Sequence, residues 1–385
     1  MRRDGWLSWA WISVGLALLA LNVALLRAPT AWIESVYMTR LWPAWPQLTA
    51  QLHTASPLPL TLPTLVLSAL AALALGLSAT KNVRRASPTQ AQSAGPARWR
   101  RVVPALAVWA ALLVLTFVPA WGVSYRRAPL AHGLGLSEAR AQVDAEVLVS
   151  ALEHLSGIVA DAAPLRPLAA LLEPGEVDAA VSAAAACVAR ADEAVVGRPV
   201  NLSPRVRRLP AGSMLRWGYA GIALPWLLEA HVDAGLPPAS FIAVAAHELA
   251  HTAGWGPEAD TDALAVLAGV ACDDAFVRYA LALYGVQVLE RTLRPALEGE
   301  SALRARTEAA LAALPSAAHG DRAALVEASA RWRVQALARV ATVVNDGYLR
   351  SQGVAAGVAD YDAAGSLVAA ALTACQQSPT KPWCR

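Results

Sequence analysis

Residues 237–262 read PPASFIAVAAHELAHTAGWGPEADTD, and this stretch decides how the rest of the chain is understood. Pro237-Pro238 and Ser240 open a helix that runs over Ala239 to Ala253, and Gly254 closes it. His247 and His251 stand four residues apart, so both rings leave one face of that helix and can reach one ion. Glu248 lies beside them, giving the spacing His-Glu-x-x-His. Zinc takes His nitrogen at about 2.0 Å, and a catalytic site keeps three protein ligands and leaves one position open. A third ligand must therefore come from elsewhere.

Gly254-Trp255-Gly256-Pro257 is a turn that reverses the chain, and Glu258, Asp260 and Asp262 follow at the start of the next helix. Glu258 is the favoured ligand, because its longer side chain suits a reach back across the turn. Asp260 is the alternative. Asp262, one helical turn after Glu258, is expected to accept the ring proton of a ligand histidine. A zinc ion held this way lowers the pKa of bound water to about 7 and polarises a carbonyl. Glu248 is then the expected general base, passing the water's proton to a leaving amine. Tyr219, Tyr348 and Tyr361 are candidate oxyanion donors, among which the sequence does not choose.

Downstream and upstream of the motif the apolar spacing is helical. Ala141, Val143, Val147, Leu148, Leu152 and Leu155 form one face with Ser137 as N-cap, and further helices are expected at about 176–193, 238–253, 259–293, 302–314, 321–345 and 363–376. Strand signals are few. The best is Gly218 to Val232, interrupted by Pro225 and ending Glu229-Ala230-His231-Val232. That ending could be an edge strand that binds an extended peptide through Glu229 and His231, or an ordinary core strand. His231 as an extra metal ligand is the weaker alternative for that residue. His53, His132, His154 and His319 have no companion at ligand spacing and read as packing or surface residues.

The chain has 385 residues, 56% of them hydrophobic, with mean hydropathy +0.40, which is too apolar for a wholly water-exposed protein. Three stretches reach spanning length: about 6–26, 60–79 and 102–121. Trp6, Trp9, Trp99 and Trp121 fall where an interfacial belt would lie. Arg2 and Arg3 precede the first stretch, and Lys81, Arg84, Arg85, Arg98, Arg100 and Arg101 lie between the second and third with no acid among them. The positive-inside rule puts those segments in the cytoplasm and everything after residue 122 outside it. A cleaved signal peptide is the alternative for the first stretch, disfavoured by its length and by the two that follow. The segment Arg27 to Pro59 is rich in Trp and Pro and is expected on the outer membrane surface, while Ser87 to Pro96 reads as a linker.

Charge divides at the same place. Residues 1–122 hold ten Lys/Arg against two acids, and residues 123–385 hold twenty-two against twenty-seven. A mildly acidic outer domain without a basic, aromatic-interleaved patch argues against a nucleic-acid partner. All four cysteines, Cys187, Cys272, Cys375 and Cys384, fall in that outer part, where disulfides persist. Of the three pairings, Cys375 with Cys384 is favoured, leaving Cys187 with Cys272; free buried thiols are the alternative.

These features together resemble the bacterial membrane family known as domain of unknown function 3810, itself similar to gluzincin-type zinc metallopeptidases. The resemblance runs through the three N-terminal apolar stretches, the exit Trp121-Gly122-Val123-Ser124-Tyr125-Arg126-Arg127-Ala128-Pro129-Leu130, the Gly218-Tyr219 to Val232 segment, His247 to His251, Glu258 to Asp262, Gly347-Tyr348-Leu349 and Tyr361. It implies a third ligand Glu on the helix after the two histidines, with an acid or amide four residues later, a spacing that Glu258 and Asp262 match. The family pattern has Glu at the position of Asp260, Asn at that of Asp262 and Asn at that of His231, which leaves Glu258 and Asp260 both open as ligands.

The expectation is a mainly α protein. Residues 1–122 form a membrane anchor of three transmembrane helices, and residues 123–385 form an extracytoplasmic, helical, zincin-like metallopeptidase domain with a small β-hairpin or sheet. The function expected is zinc-dependent hydrolysis of peptide bonds in a peptide or protein substrate at the cell membrane. The alternative is a non-catalytic, zinc-stabilised membrane scaffold that binds an envelope partner.

Overall fold

The computed structural model describes residues 4–56, 58–84, 94–136, 143–165 and 174–384. Helix α1 spans Asp4–Arg27 and is followed by a π-helical stretch, Ile33–Leu41, then α2, Ala44–Ala55. Helices α3, Thr61–Arg84, and α4, Ala94–Ala120, complete the N-terminal region. After them come α5, Ala145–Ala162; α6, Pro174–Val196; β1, Arg207–Leu209; β2, Gly221–Leu224; and β3, Glu229–Asp233. The rest is helical: α7, Pro238–Thr252; α8, Glu258–Val270; α9, Ala275–Ala296; α10, Ser301–Ala312; α11, Ser316–Trp332; α12, Gln335–Ser351; and α13, Ala364–Gln377. The protein is mainly helical with one small sheet.

The chain divides into two compact units, one comprising Met1–Pro29, Ser56–Val123 and Pro225–Leu227, the other Thr30–Ala55, Ser124–Leu224 and Leu228–Arg385. In the first unit α4 packs against α1 and α3. Among the described residues several of its polar groups pair within the unit. Asn22 donates to the carbonyls of Leu18 (2.7 Å) and Leu115 (2.6 Å), Trp109 Nε1 donates to Ser68 Oγ (2.9 Å), and Trp226 Nε1 donates to Thr116 Oγ1 (3.2 Å). Large apolar side chains point outward along all three helices, among them Leu16, Leu67 and Val114, which is 69% exposed.

Three spans are expected from the sequence, and here the structure differs. Among the described residues one helix is long and apolar enough to cross a membrane, Val102–Ala120, 19 residues with mean hydropathy 2.3. The apolar part of α1, Gly15–Arg27, is followed after a bend of 113° by Thr30–Leu41, and that of α3 is Thr61–Ala74. A run of that length rises only about 21 Å at 1.5 Å per residue, short of a hydrocarbon core of roughly 30 Å. The linker expected from Ser87 lies outside the described residues as far as 93.

The second unit is built around α7, α8 and α9. α7 packs on α6, α9 and β3, α8 lies against α6, α9 and α13, and α5 covers α9. Ser137 and Ala141 lie outside the described residues, and α5 is capped instead by Asp144, which accepts from Val147 N at 3.0 Å. The stretch expected as one helix over 259–293 is two, because the chain turns at Cys272 and restarts where Asp274 accepts from Val277 N at 2.9 Å. Likewise 321–345 is broken where Val334 N donates to Arg216 O at 3.1 Å. Both disulfides expected as the favoured set are present, Cys187–Cys272 and Cys375–Cys384.

The sheet has the order β1-β3-β2. β3 is its central strand, parallel to β1 (Arg207↔His231) and antiparallel to β2 (Ile222↔His231). Of the two readings of Glu229 to Val232 the core strand holds: every residue of β3 is buried and the strand is paired on both sides, while the outer strands are β1 and β2. Pro225 falls in the turn between them, where it takes no ladder hydrogen bond. Asp233, fully buried, ends β3 by accepting from four backbone amides, Gly212 (2.8 Å), Met214 (2.8 Å), Leu215 (3.1 Å) and Gly235 (2.8 Å). That one carboxylate fixes the loop leading to Tyr219 and Gly221.

Candidate metal centre

α7 begins with Pro at its first position, where the missing N–H is an orphan anyway. It ends in a left-handed turn at Gly254, φ 95°. Gly254 N donates to His251 O (2.9 Å) and Trp255 N to Ala250 O (3.4 Å), the paired bonds of a glycine-terminated helix. The chain then re-enters α8 at Glu258 with Pro257 before it, while Asp360 accepts from Ala259 N at 3.0 Å and satisfies one of the first amides. This reversal brings Glu258 against the two histidines.

Glu258 Oε2 lies 3.2 Å from His247 Nε2 and 3.3 Å from His251 Nε2, and the three ligand atoms all fall within 4.8 Å of one another. Donors at about 2.0–2.1 Å from a tetrahedral ion stand roughly 3.3 Å apart, so the donor set fits such an ion. Glu258 Oε2 is buried and accepts no hydrogen bond, which marks it as an oxygen with an unused lone pair aimed between the rings. The other nitrogen of each ring is engaged. His247 Nδ1 is 2.6 Å from Asp262 Oδ1, and His251 Nδ1 is 2.7 Å from Trp255 O. Carboxylate and carbonyl only accept, so Nδ1 carries the proton in both rings and Nε2 presents its lone pair to the centre.

The electrostatics follow from this packing. Burial works to lower both histidines, but the Asp262 and Glu258 carboxylates outweigh it, and both rings are raised. Burial likewise works to raise Glu258, and the two histidines hold it well below the usual carboxylate range. Glu248, 5% exposed, is pushed up to about 7, chiefly by burial. Tyr361 hydrogen-bonds Glu258, and Tyr284 and Arg291 donate to Asp262, the arginine at 3.3 Å. A cavity of about 580 Å³ opens on this cluster, lined by His247 and Glu248, by Tyr219 and Gly221 ahead of and on β2, and by apolar residues such as Ala243 and Leu283.

The other expected site residues divide. Asp260 takes a backbone hydrogen bond from Leu130 and lies among Asp360 and Arg127, pushed up to about 7 by burial, so it stands apart from the cluster. Tyr219 lines the cavity with its hydroxyl donating to Ala341 O at 2.8 Å. Tyr348 packs edge-on against Tyr125 at 6.1 Å and does not line the cavity. Glu229 and His231 are not open to a substrate. Glu229 is 2% exposed and paired with Arg207 (2.8 Å) and His53 (3.4 Å), and His231 Nδ1 lies 2.9 Å from the Glu229 carbonyl. His53 therefore has a companion that its spacing concealed.

Tyr284, Arg291, Asp360 and the Trp255 carbonyl are contributors the sequence reading missed. Tyr284, Gln287 and Arg291, at i, i+3 and i+7 of a largely apolar α9, form a polar stripe that could have signalled the first two.

A buried His-His-Glu cluster that can hold a metal ion, carried on a helical domain with a three-stranded edge sheet, defines the class of site. The chain belongs to the family described as protein of unknown function DUF3810, whose model matches residues 37–369. No curated protein and no solved structure matches it significantly.

Proposed function

We propose that this protein is a zinc-dependent metallopeptidase held in a membrane by its N-terminal unit, with the metal-binding unit outside the cytoplasm. The observation that carries the proposal is the convergence of His247 Nε2, His251 Nε2 and Glu258 Oε2 beside a buried Glu248, which together with His247 lines an open cavity. Zinc held by these three groups supplies a Lewis acid that activates water and polarises a scissile carbonyl. Glu248, buried beside the cluster and lining the cavity, is placed to accept the proton of the attacking water and deliver it to the leaving amine nitrogen. A structural site needs no such base and closes with a fourth protein ligand. Tyr219 and Tyr361 line the cavity and are the proposed oxyanion donors, each exchanging its present acceptor, Ala341 O or Glu258, for the oxyanion. An extended peptide would pair along the open side of β2, whose Gly221 lies against the Glu248 carboxylate.

Outward-facing apolar side chains on α1, α3 and α4 support the membrane assignment, and the basic stretch from Lys81 to Arg101 supports a cytoplasmic loop between α3 and α4. Two disulfides support an oxidising compartment for the second unit. The deciding experiment measures zinc content and peptide hydrolysis on the same full-length samples. Wild type should hold one zinc, His247→Ala and Glu258→Ala should lose it, and Glu248→Gln should keep the metal without hydrolysis. Zinc retained in all variants would remove the cluster from consideration; zinc without hydrolysis in wild type would favour the scaffold.

A further inference from the structure

Two stretches far apart in sequence close on the turn after α7. One is the π-helical stretch Ile33–Leu41; the other is Arg127-Ala128. Glu34 Oε1 accepts from Arg127 Nε at 3.2 Å and from Ala128 N at 3.0 Å. Arg127 in turn donates through Nη1 to Gly254 O at 3.1 Å, and its guanidinium carbon lies 3.8 Å from the centroid of the Trp255 ring. Trp255 Nε1 donates to Asp192 Oδ1 at 2.7 Å, and Asp192 is fully buried. Met38 and Trp42 close the remaining side: a Cβ on Gly254 would stand 2.9 Å from Met38 Cε and 3.0 Å from Trp42 Nε1. The Trp255 peptide is thus held through its ring, through the preceding carbonyl and by the wall behind Gly254. Its own carbonyl is the group that orients His251.

We infer that Arg127, clamped by Glu34, is a positioning residue for the metal ligand His251 and acts through the Gly254-Trp255 backbone. The inference rests on the metal-centre reading above. An imidazole ligand keeps its direction only while the acceptor of its other ring proton stays put, and such outer acceptors are worth roughly 10–100-fold in metal affinity. Arg127 is well suited to the task, because its planar fork bonds a carboxylate and a carbonyl while stacking on an aromatic face. It follows that the metal-binding unit is assembled from residues 30–55 as well as from the chain after 124, and Glu34 is part of its frame.

The test uses the detergent-solubilised full chain, with zinc affinity measured by chelator competition and ligand geometry read from the visible spectrum after Co²⁺ loading. Arg127→Met is expected to weaken zinc binding roughly tenfold and to shift the Co²⁺ bands. Arg127→Lys should recover part of the loss, and Glu34→Gln should fall between them because it keeps an acceptor for Ala128 N. Arg306→Met, which removes exposed pairs with Glu146 and Glu153, is the control and should leave affinity unchanged. Should Arg127→Met fail to fold, Glu34→Gln carries the same comparison. Unchanged affinity and spectrum in the variants that fold would overturn the positioning role alone. A wild-type chain that binds neither Zn²⁺ nor Co²⁺ would overturn the metal centre together with it.

Discussion

Asp262 Oδ1 stands 2.6 Å from His247 Nδ1, on a side chain with no exposure to solvent. Tyr284 donates to the same oxygen and Arg291 to the other, so the carboxylate is fixed in three directions. Asp262→Ala should weaken zinc binding by about 10–100-fold, and Asp262→Asn, which keeps an acceptor oxygen, should lose much less. Chelator competition reads both. Equal affinities in Asp262→Ala and wild type would show that the ring needs no such partner.

Gly221 lies where β2 meets the cluster, and a Cβ there would come within 2.7 Å of both Glu248 Oε1 and His231 O. The His231 carbonyl is strand backbone and cannot give way, so the Glu248 carboxylate must move. Gly221→Ala is therefore expected to retain zinc while lowering kcat about 10²-fold, the cost of misplacing a reacting group by about 1 Å. Parallel loss of metal would mean that the substitution disrupts the fold and not the placement of Glu248.

The two disulfides close loops of very different length, with sequence separations of 85 and 9. Chain-entropy bookkeeping gives about 4.5 kcal/mol for the longer and about 2.5 kcal/mol for the shorter. Replacing Cys187 and Cys272 by serine should lower the unfolding midpoint more than replacing Cys375 and Cys384. The reverse order, in denaturant titrations of the two double variants, would contradict the loop-length account.

Asp192 is raised above the usual carboxylate range because burial outweighs Arg127, the Trp255 hydrogen bond and Arg198. A folded acid with a raised pKa binds protons more tightly than the unfolded chain, so its contribution is complete below the unfolded value of about 3.9 and is lost as pH rises through the folded one. Asp192→Asn keeps an acceptor for Trp255 Nε1 and removes the charge. Its stability should decline less than that of wild type as pH rises from 4, in thermal melts across that range. Parallel profiles for the two proteins would rule the effect out.

Much of the site was legible because helices announce themselves locally. Pro237-Pro238 and Gly254 bound α7, and the four-residue spacing of His247 and His251 fixed their common face before any tertiary contact was known. β1 was invisible, since Arg207-Arg208-Leu209 has no apolar alternation and forms a strand because β3 offers it a partner. The break between α11 and α12 was equally hidden: nothing in Arg333-Val334 forbids a helix, and a hydrogen bond to Arg216 O ends it. The stretch 30–55 looked like irregular membrane-surface chain because Trp and Pro dominate it, yet Met38, Trp42 and His53 are buried in the second unit.

By itself the sequence determined the donors, a pair of imidazoles on one helix face and a set of acids within one turn of the next helix, because spacing along a helix is geometry fixed by the backbone. Only the tertiary structure decided which acid faces them. Glu258 and Asp262 share a side of α8, while Asp260, about 200° round from Glu258, is carried toward Leu130 and Arg127. That rotation is set by how α8 docks on α6, α9 and α13, a sum of packing contacts from distant parts of the chain that no local pattern records.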